Sequence, residues 1–352
     1  MKRPAAMMLL LACLPLPAAA PAPTAAPVPA EICEADGGRA LCGYRQPEDL
    51  VRVPGTHWVL VSQTATNGGL SAIDVRDRSR RQLFPSPQAA IRFDRKLYAD
   101  CPGPPPAGDE FTVAGLAVRP GAVATVYGVG LRKRRAIEVF ELDTRAAVPA
   151  VAWVGCVPTP EPLGLNSVAP LPDGGFITTK FLSREHSMES EVARALRGEI
   201  NGEAWAWAPG TGWAKVPGTE SAGANGVVIS PDHAWMYLVG WGSRTISRIS
   251  LGKAVPERHD ARLDFRLDNI HWAQDGTIIG AGQGGSDAAP TTRVVKIDPA
   301  TLAVTSLVEV ADTPAFGQGS AAIEVGDEIW VGSPRRDRIG LFARPATAGA
   351  AR

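Results

Sequence analysis

The clearest pattern along the chain is a short unit in which a polar residue precedes an apolar strand and a turn. In residues 223–232, Asn225 precedes an apolar run, and a Pro231-Asp232 turn follows. Residues 165–175 and 267–276 repeat this order with an Asp-Gly turn. A second apolar strand comes after each turn, so each unit predicts a β-hairpin.

Three further segments have the same order with the polar residue altered or moved, namely residues 48–61, 114–127 and 318–331. The six units recur at a spacing of about fifty residues, which is typical of propeller blades. Units that cannot bury their apolar faces singly favour one closed ring. We therefore predict an all-β fold, a six-bladed β-propeller spanning residues 48–343.

One segment has helical periodicity. Apolar side chains recur every four residues within residues 183–200, at Met188, Val192, Leu196 and Ile200. The segment interrupts the third unit, so we expect an inserted helix that caps one face of the propeller. A surface helix that only packs on the ring is the alternative.

The remaining segments lie between or outside the units. Residues 31–47 form a cysteine-bearing lead-in, and we expect either this lead-in or the chain end to complete the first blade and so close the ring. Residues 76–108 form a polar, Pro-rich excursion that we expect to decorate one rim. Residues 344–352 are expected to be a disordered tail.

Residues 1–30 are expected to be an export signal followed by a Pro/Ala tract, because a basic Lys2-Arg3 start precedes a short apolar run. The run is too short to span a bilayer. The mature chain is therefore expected to be periplasmic or secreted. An alternative is a lipoprotein box at Leu10-Leu11-Ala12-Cys13, which would make Cys13 a lipid anchor.

Disulfides persist outside the cytoplasm, and four cysteines remain in the expected mature chain. Their proximity along the chain favours pairing Cys33 with Cys42 and Cys101 with Cys156. The other connectivities stay open. A zinc site is a further alternative, although no C-x-x-C spacing supports it.

Oxygen donors occupy equivalent places in four of the units. Since the loop that enters each innermost strand of a propeller points at the central channel, we expect these donors to converge there: Glu48, Asn166, Asn225, Asp268 and Asn269. Two carboxylates and three amide oxygens form an oxygen-only shell with a charge of about −2, which suits calcium. Each residue singly is also an ordinary turn residue.

Other chemistry is poorly indicated. The chain has no G-x-S-x-G, H-E-x-x-H, P-loop or EF-hand motif. Residues 280–285 match G-x-G-x-x-G, but they lie in a predicted hairpin, which does not indicate a dinucleotide site. The formal net charge of +0 gives no reason to expect a nucleic-acid partner. Calcium could instead polarise a lactone or ester carbonyl, with Asp268 or Glu48 as general base.

The chain resembles the six-bladed, calcium-dependent paraoxonase/arylesterase group within the gluconolactonase-like (SMP-30) superfamily. The resemblance spans about residues 48–343, and the motifs that carry it occur in the family's order: Pro47-Glu48-Asp49-Leu50, Leu165-Asn166, Ala224-Asn225-Gly226, Ile229-Ser230-Pro231, Leu267-Asp268-Asn269-Ile270 and Gln318-Gly319-Ser320. The resemblance implies that the five oxygen donors are the ligands of the catalytic calcium. It also implies lactone hydrolysis, with aryl ester hydrolysis alongside.

The sequence also departs from that family. Ala114 and Gly130 stand where those enzymes carry a histidine pair assigned to base catalysis. Asp49 matches a ligand of their second, structural calcium, but Ser167 stands in place of an aspartate. No cysteine follows Cys156, so the family's disulfide between the chain ends has no partner.

Residues that follow the second strands are candidates for contact with a small-molecule substrate: Lys180, Trp241, Arg244, Gln283 and Ser333. Two of them, Lys180 and Arg244, would favour an acidic substrate. The leading hypothesis is an exported, calcium-dependent hydrolase of lactones and aryl esters. The alternatives are a non-catalytic binding propeller with structural calcium, and a lyase or isomerase acting at the same metal.

Overall fold

The structure is a computed structural model that describes residues 28–29, 31–35, 38–106 and 111–345. The predicted export segment up to residue 27, with Cys13, lies outside the described residues, and so do residues 346–352 of the predicted tail. Val28, within the predicted segment, exchanges two backbone hydrogen bonds with Arg80. No described helix is long and apolar enough to cross a membrane.

The described strands form six sheets, which we number as blades 1 to 6 in chain order. The lead-in contributes β1 (Ile32–Ala35) and β2 (Gly38–Cys42). Blade 1 contains β3 (Pro47–Arg52), β4 (Trp58–Gln63), β5 (Gly69–Asp74) and β6 (Arg80–Phe84). Blade 2 contains β7 (Ala90–Ile91), β8 (Val113–Arg119), β9 (Ala124–Gly130), β10 (Ala136–Asp143) and β11 (Ala150–Pro158). Blade 3 contains β12 (Leu163–Pro170), β13 (Phe176–Ser183), helix α1 (Met188–Leu196), β14 (Glu203–Ala208) and β15 (Gly212–Lys215).

Blades 4 to 6 follow the same plan. Blade 4 contains β16 (Ala224–Ile229), β17 (Trp235–Gly240), β18 (Thr245–Ser250) and β19 (Arg258–Arg262). Blade 5 contains β20 (Arg266–Trp272), β21 (Ile278–Ser286), β22 (Ala289–Ile297) and β23 (Val304–Ala311). Blade 6 contains β24 (Ala321–Val325), β25 (Glu328–Gly332) and β26 (Arg338–Ala343).

The sheets close into a ring, which confirms the predicted six-bladed propeller. The innermost strand of each blade contacts the innermost strands of its neighbours, in the order β3, β8, β12, β16, β20, β24 and back to β3. These innermost strands surround the central channel. All residues of β4 and β5 are buried, since each sheet packs against a neighbouring blade on both faces.

The lead-in closes the ring, but it completes the last blade and not the first as we expected. Strand β2 pairs with β26, which gives the order β1-β2-β26-β25-β24. Blade 1 already has four strands of its own, whereas the chain supplies only three to blade 6. The exposed edge of β26 is therefore the one that needs a partner.

Both favoured disulfides are present. Cys33–Cys42 links β1 to β2, and Cys101–Cys156 ties the long segment between β6 and β8 to β11. The pairing of cysteines is compatible with an oxidising compartment.

The predicted helix exists, but it is shorter than the periodic segment and presents a different face. Met188 and Leu196 are 62% and 46% exposed, while Glu191 and Ala195 are buried. Ala195 lies against Gly242, where a Cβ would come within 2.2 Å of the Ala195 carbonyl oxygen. The apolar stripe that contains Met188 and Leu196 therefore faces outward.

Candidate metal centre

The innermost strands of blades 1 to 5 share one irregularity. The pairing with the next strand shifts within each, between Pro47 and Leu50, Val113 and Leu116, Leu165 and Val168, Ala224 and Val227, and Leu267 and Ile270. Such a bulge places two residues of one strand opposite one residue of its neighbour and frees their side chains from the regular alternation. We call these the first and second bulge positions.

All five predicted ligands lie in these bulges. Four occupy the first position of blades 1, 3, 4 and 5, and Asn269 occupies the second position of blade 5: Glu48, Asn166, Asn225, Asp268 and Asn269. Blade 2 has Ala114 at its first position and therefore provides no side-chain oxygen there.

The residue at the second bulge position is a glycine in two blades where the neighbouring blade approaches closely. At Gly226, a Cβ would come within 2.4 Å of the Asp268 carbonyl oxygen and 2.9 Å of the Ile270 nitrogen. At Gly115, a Cβ would come within 2.4 Å of the Asn166 carbonyl oxygen. The Asn-Gly sequence therefore has a steric origin, because the glycine lets the ligand-bearing bulges of adjacent blades touch.

Hydrogen bonds join the donors of blades 1, 4 and 5. Asn269 Nδ2 donates to Glu48 Oε1 at 2.8 Å, across 221 residues of sequence. Asp268 receives a side-chain hydrogen bond from Asn225 and another from Gln283 Nε2 at 2.9 Å. The side-chain N–H groups of Asn225 and Asn269 thus donate to carboxylates, so their amide oxygens point away from those carboxylates.

Four of these oxygens are buried and accept no hydrogen bond: Glu48 Oε2, Asn166 Oδ1, Asn225 Oδ1 and Asn269 Oδ1. Buried polar atoms without partners are rare and call for an unseen ligand, water or ion. Asn201 provides a contrast, because its Oδ1 accepts from the backbone N–H of Gly223 at 2.9 Å. A set of orphaned acceptors without a donor fits a cation.

The pKa shifts of the two carboxylates also indicate a bound cation. Burial, followed by the nearby charges of Asp49 and Asp268, raises the pKa of Glu48 well above its ordinary range. Burial also raises the pKa of Asp268 to about 7. A bound cation would favour the ionised form of both. Within the described residues no three His, Cys, Asp or Glu side chains form a metal cluster, so the amides are essential to this shell.

A second cation beside Asp49 does not fit. Asp49 is fully buried, and its Oδ1 accepts from the backbone N–H of Leu50 at 2.8 Å and lies 2.6 Å from Nε2 of His271. Its Oδ2 accepts from the backbone N–H of Leu116 at 2.7 Å. Both oxygens are already used, and Ser167 adds no charge.

The predicted substrate contacts have different surroundings. Gln283 lies on β21 and bonds Asp268, and its Oε1 accepts from Trp241 Nε1 at 2.8 Å. Lys180 lies 3.5 Å from Glu203 Oε1 and so has a carboxylate partner. Ser333 is fully buried and its hydroxyl donates to the Gly317 carbonyl, which contradicts the predicted substrate contact.

Sequence reasoning missed Arg266, whose guanidinium lies 5.4 Å from the centre of the Trp241 ring. It is two residues before Asp268 on the same strand, but the bulge between Leu267 and Ile270 interrupts the regular alternation, so no sequence pattern indicated it. Burial, followed by the positive charge of Arg244, lowers the pKa of Arg266 from its ordinary value. Two arginines therefore lie beside the donor set.

The family's catalytic histidine pair has no equivalent in this site. Ala114 and Gly130 lie side by side in blade 2, because Val113 pairs with Gly130. Ala114 is buried, and a Cβ on Gly130 would come within 2.7 Å of the Arg134 carbonyl oxygen. No imidazole can therefore act from these positions.

Solved structures share the arrangement of this chain. A gluconolactonase from Xanthomonas campestris is similar over 92% of this chain and 98% of its own, with a TM-score of 0.51 and 16% identity. The chain has the fold of the gluconolactonase-like six-bladed propellers. A luciferin-regenerating enzyme is similar with a TM-score of 0.52 and 15% identity, covering 86% of this chain and 91% of its own.

The fold accommodates other chemistry as well. A PQQ-bound aldose sugar dehydrogenase from Streptomyces coelicolor is similar over 90% of this chain and 99% of its own, with a TM-score of 0.50 and 15% identity. Neither a protein-family profile nor a curated protein sequence matches the chain. Function must therefore be argued from the site and not from the fold.

Proposed function

We propose that the protein is an exported, calcium-dependent hydrolase of lactones, with aryl esters as a second substrate class. The observation that carries the proposal is the set of four buried, unpartnered oxygens on Glu48, Asn166, Asn225 and Asn269 beside Asp268. Oxygen ligands of this kind suit calcium better than zinc or copper.

The five side chains would hold the cation, and their two carboxylates would balance its charge. Calcium, when bound, polarises a carbonyl oxygen and stabilises the negative charge that develops on it. The carboxylates of Glu48 and Asp268 would not need to move for this, because the bulges already fix their backbone.

Of the two carboxylates, Asp268 is the better general base. Glu48 is only 6% exposed and one of its oxygens already accepts from Asn269. Asp268 is less completely buried than Glu48. It can therefore accept a proton from an attacking water at its carboxylate, while Gln283 holds the carboxylate in place through Oδ2.

The test is turnover of a panel of γ- and δ-lactones and phenyl acetate, measured with calcium and with chelator. We expect lactone hydrolysis that is lost on chelation and restored by calcium. If none of the substrates is hydrolysed at full calcium occupancy, the proposal is contradicted and a binding propeller is favoured. Formation of an unsaturated or rearranged product, without uptake of water, would favour a lyase or isomerase.

A further inference from the structure

Beside the donor set, two arginines have no carboxylate partner among the described residues. No ion pair within 4.0 Å forms at Arg244 or Arg266 there, and Arg266 Nε is buried without an acceptor. Asp264, on which Arg244 exerts its charge, is already paired with Arg293 at 2.7 Å. Asp287 acts on Arg266 more weakly than Arg244 does. Neither guanidinium group therefore has a direct ion-pair partner among the described residues, although Asp264 and Asp287 lie near enough to act on them.

A continuous set of contacts connects Arg266 to Asp268. The Arg266 guanidinium stacks over Trp241, Trp241 Nε1 donates to Gln283, and Gln283 Nε2 donates to Asp268. Arg266 also pairs with Gln283 across β20 and β21. Gln283 therefore links Trp241, over which the Arg266 guanidinium stacks, to the Asp268 carboxylate.

The position of Arg244 is fixed by the backbone. Its φ of 53° is in the left-handed region, which costs a non-glycine residue energy. Its carbonyl accepts from the Leu263 backbone N–H at 2.8 Å, which joins the turn after β17 to the connection that leads into β20. Arg244, in the turn between β17 and β18 of blade 4, is thus tied to the chain just before Arg266, which begins β20 of blade 5.

The charge balance gives these arginines a role. Two carboxylates and one calcium ion nearly cancel, so the charges beside the donor set that lack a direct ion pair are those of the two guanidinium groups. Lys180, on blade 3, differs because Glu203 lies 3.5 Å away. Guanidinium groups are suited to bidentate recognition of carboxylate or phosphate.

Building on the proposed function, we propose that Arg266 and Arg244 form an anion subsite. The substrate is then a lactone or ester that carries an acidic group, a carboxylate or a phosphate, close to the scissile carbonyl. Trp241 supports the Arg266 guanidinium, and Gln283 sets its distance from Asp268.

Paired substrates test the subsite: a γ-butyrolactone with a ring carboxylate and the carboxamide of the same lactone. For Arg266→Gln, the ratio of kcat/KM for the acid to kcat/KM for the amide should fall by about 10- to 100-fold, as expected for a lost charge-assisted hydrogen bond. Arg266→Lys should restore part of the ratio. The matched control is Arg145→Gln, an exposed arginine on the opposite face that pairs with Asp143, and it should leave the ratio unchanged.

A binding measurement separates failure of the subsite from failure of the hydrolase proposal. Calcium-loaded protein is titrated calorimetrically with tetrahydrofuran carboxylate, with its carboxamide and with tetrahydrofurfuryl phosphate, none of which has a lactone bond. Tighter binding of either acid than of the amide, weakened in Arg266→Gln, supports the subsite even without turnover, and the tighter acid identifies the group. Equal binding of acids and amide, or an unchanged Arg266→Gln variant, would overturn it. Melting curves verify that each variant is folded.

Discussion

Removal of calcium should destabilise the whole propeller, because the cation would satisfy oxygens that nothing else in the described structure satisfies. The four unpartnered oxygens lie on blades 1, 3, 4 and 5, so their repulsion acts between blades and not within one. Leaving a buried acceptor unsatisfied costs about 1–3 kcal/mol, so four such atoms cost roughly 4–12 kcal/mol. Part of this cost would be relieved by water entering the channel.

The expected stabilisation can be compared with mass action. At a free calcium concentration a thousand times the Kd, binding stabilises the folded state by about 4 kcal/mol. For a domain of this size, 1 kcal/mol corresponds to roughly 2 °C in Tm, so we expect an increase of about 8 °C. The stabilisation of about 4 kcal/mol equals the lower end of the cost of leaving the four oxygens unsatisfied.

The assay is differential scanning calorimetry at one scan rate, with EGTA or with calcium chloride at matched ionic strength. Magnesium chloride is the control, since magnesium prefers small octahedral sites and keeps its waters. Asn225→Ala should show a smaller calcium-dependent shift than the unmodified protein. Identical Tm values with chelator and with calcium would refute the assignment of the five side chains to a calcium site.

Four further predictions follow from the same geometry. Asn225→Ala, which removes one donor oxygen, should weaken calcium binding by about 10- to 100-fold in calorimetric titration, and unchanged affinity would exclude Asn225 from the shell. Asp268→Asn should abolish lactone turnover while calcium still binds at raised concentration, and near-normal rates would remove its role as base. Because the pKa of Asp268 in the calcium-free fold is raised to about 7, above its ordinary value, the calcium-free protein should lose stability as pH rises from about 4 to 7. Calcium affinity should rise over the same window, and pH-independent titrations would contradict this. Gly226→Ala should lower Tm and calcium affinity together, since its Cβ would meet the Asp268 carbonyl oxygen at 2.4 Å, and a variant with normal values of both would show that the bulges can move apart.

The repeated units carried most of the information about the ring. A polar residue just before an apolar run is a local signal, and the bulge at each innermost strand explains it, because the bulge turns that residue toward the channel while the run stays in the sheet. The convergence of Glu48 with Asn269 could be expected from this regularity, although 221 residues separate them.

Features that depend on distant partners could not be predicted in the same way. The pairing of β2 with β26 joins the two ends of the described chain, and no local pattern distinguishes it from a pairing with blade 1. Ala195 is buried where the helix lies against Gly242 of another blade, so the periodic apolar stripe indicated a helix but the wrong buried face. Arg266 was overlooked because an arginine in a strand has many possible partners, and only the contacts with Trp241 give it a role.

The bulges separate the residues that face the axis from those that hold the sheets together. In blade 2, Ala114 occupies a first bulge position, yet β8 and β9 remain paired on both sides, at Val113 with Gly130 and at Leu116 with Gly128. Donor identity can therefore change, blade by blade, without new strand pairing. Such interchangeability would let a ring of this type gain, lose or exchange its central ion through single substitutions, while its frame stays the same.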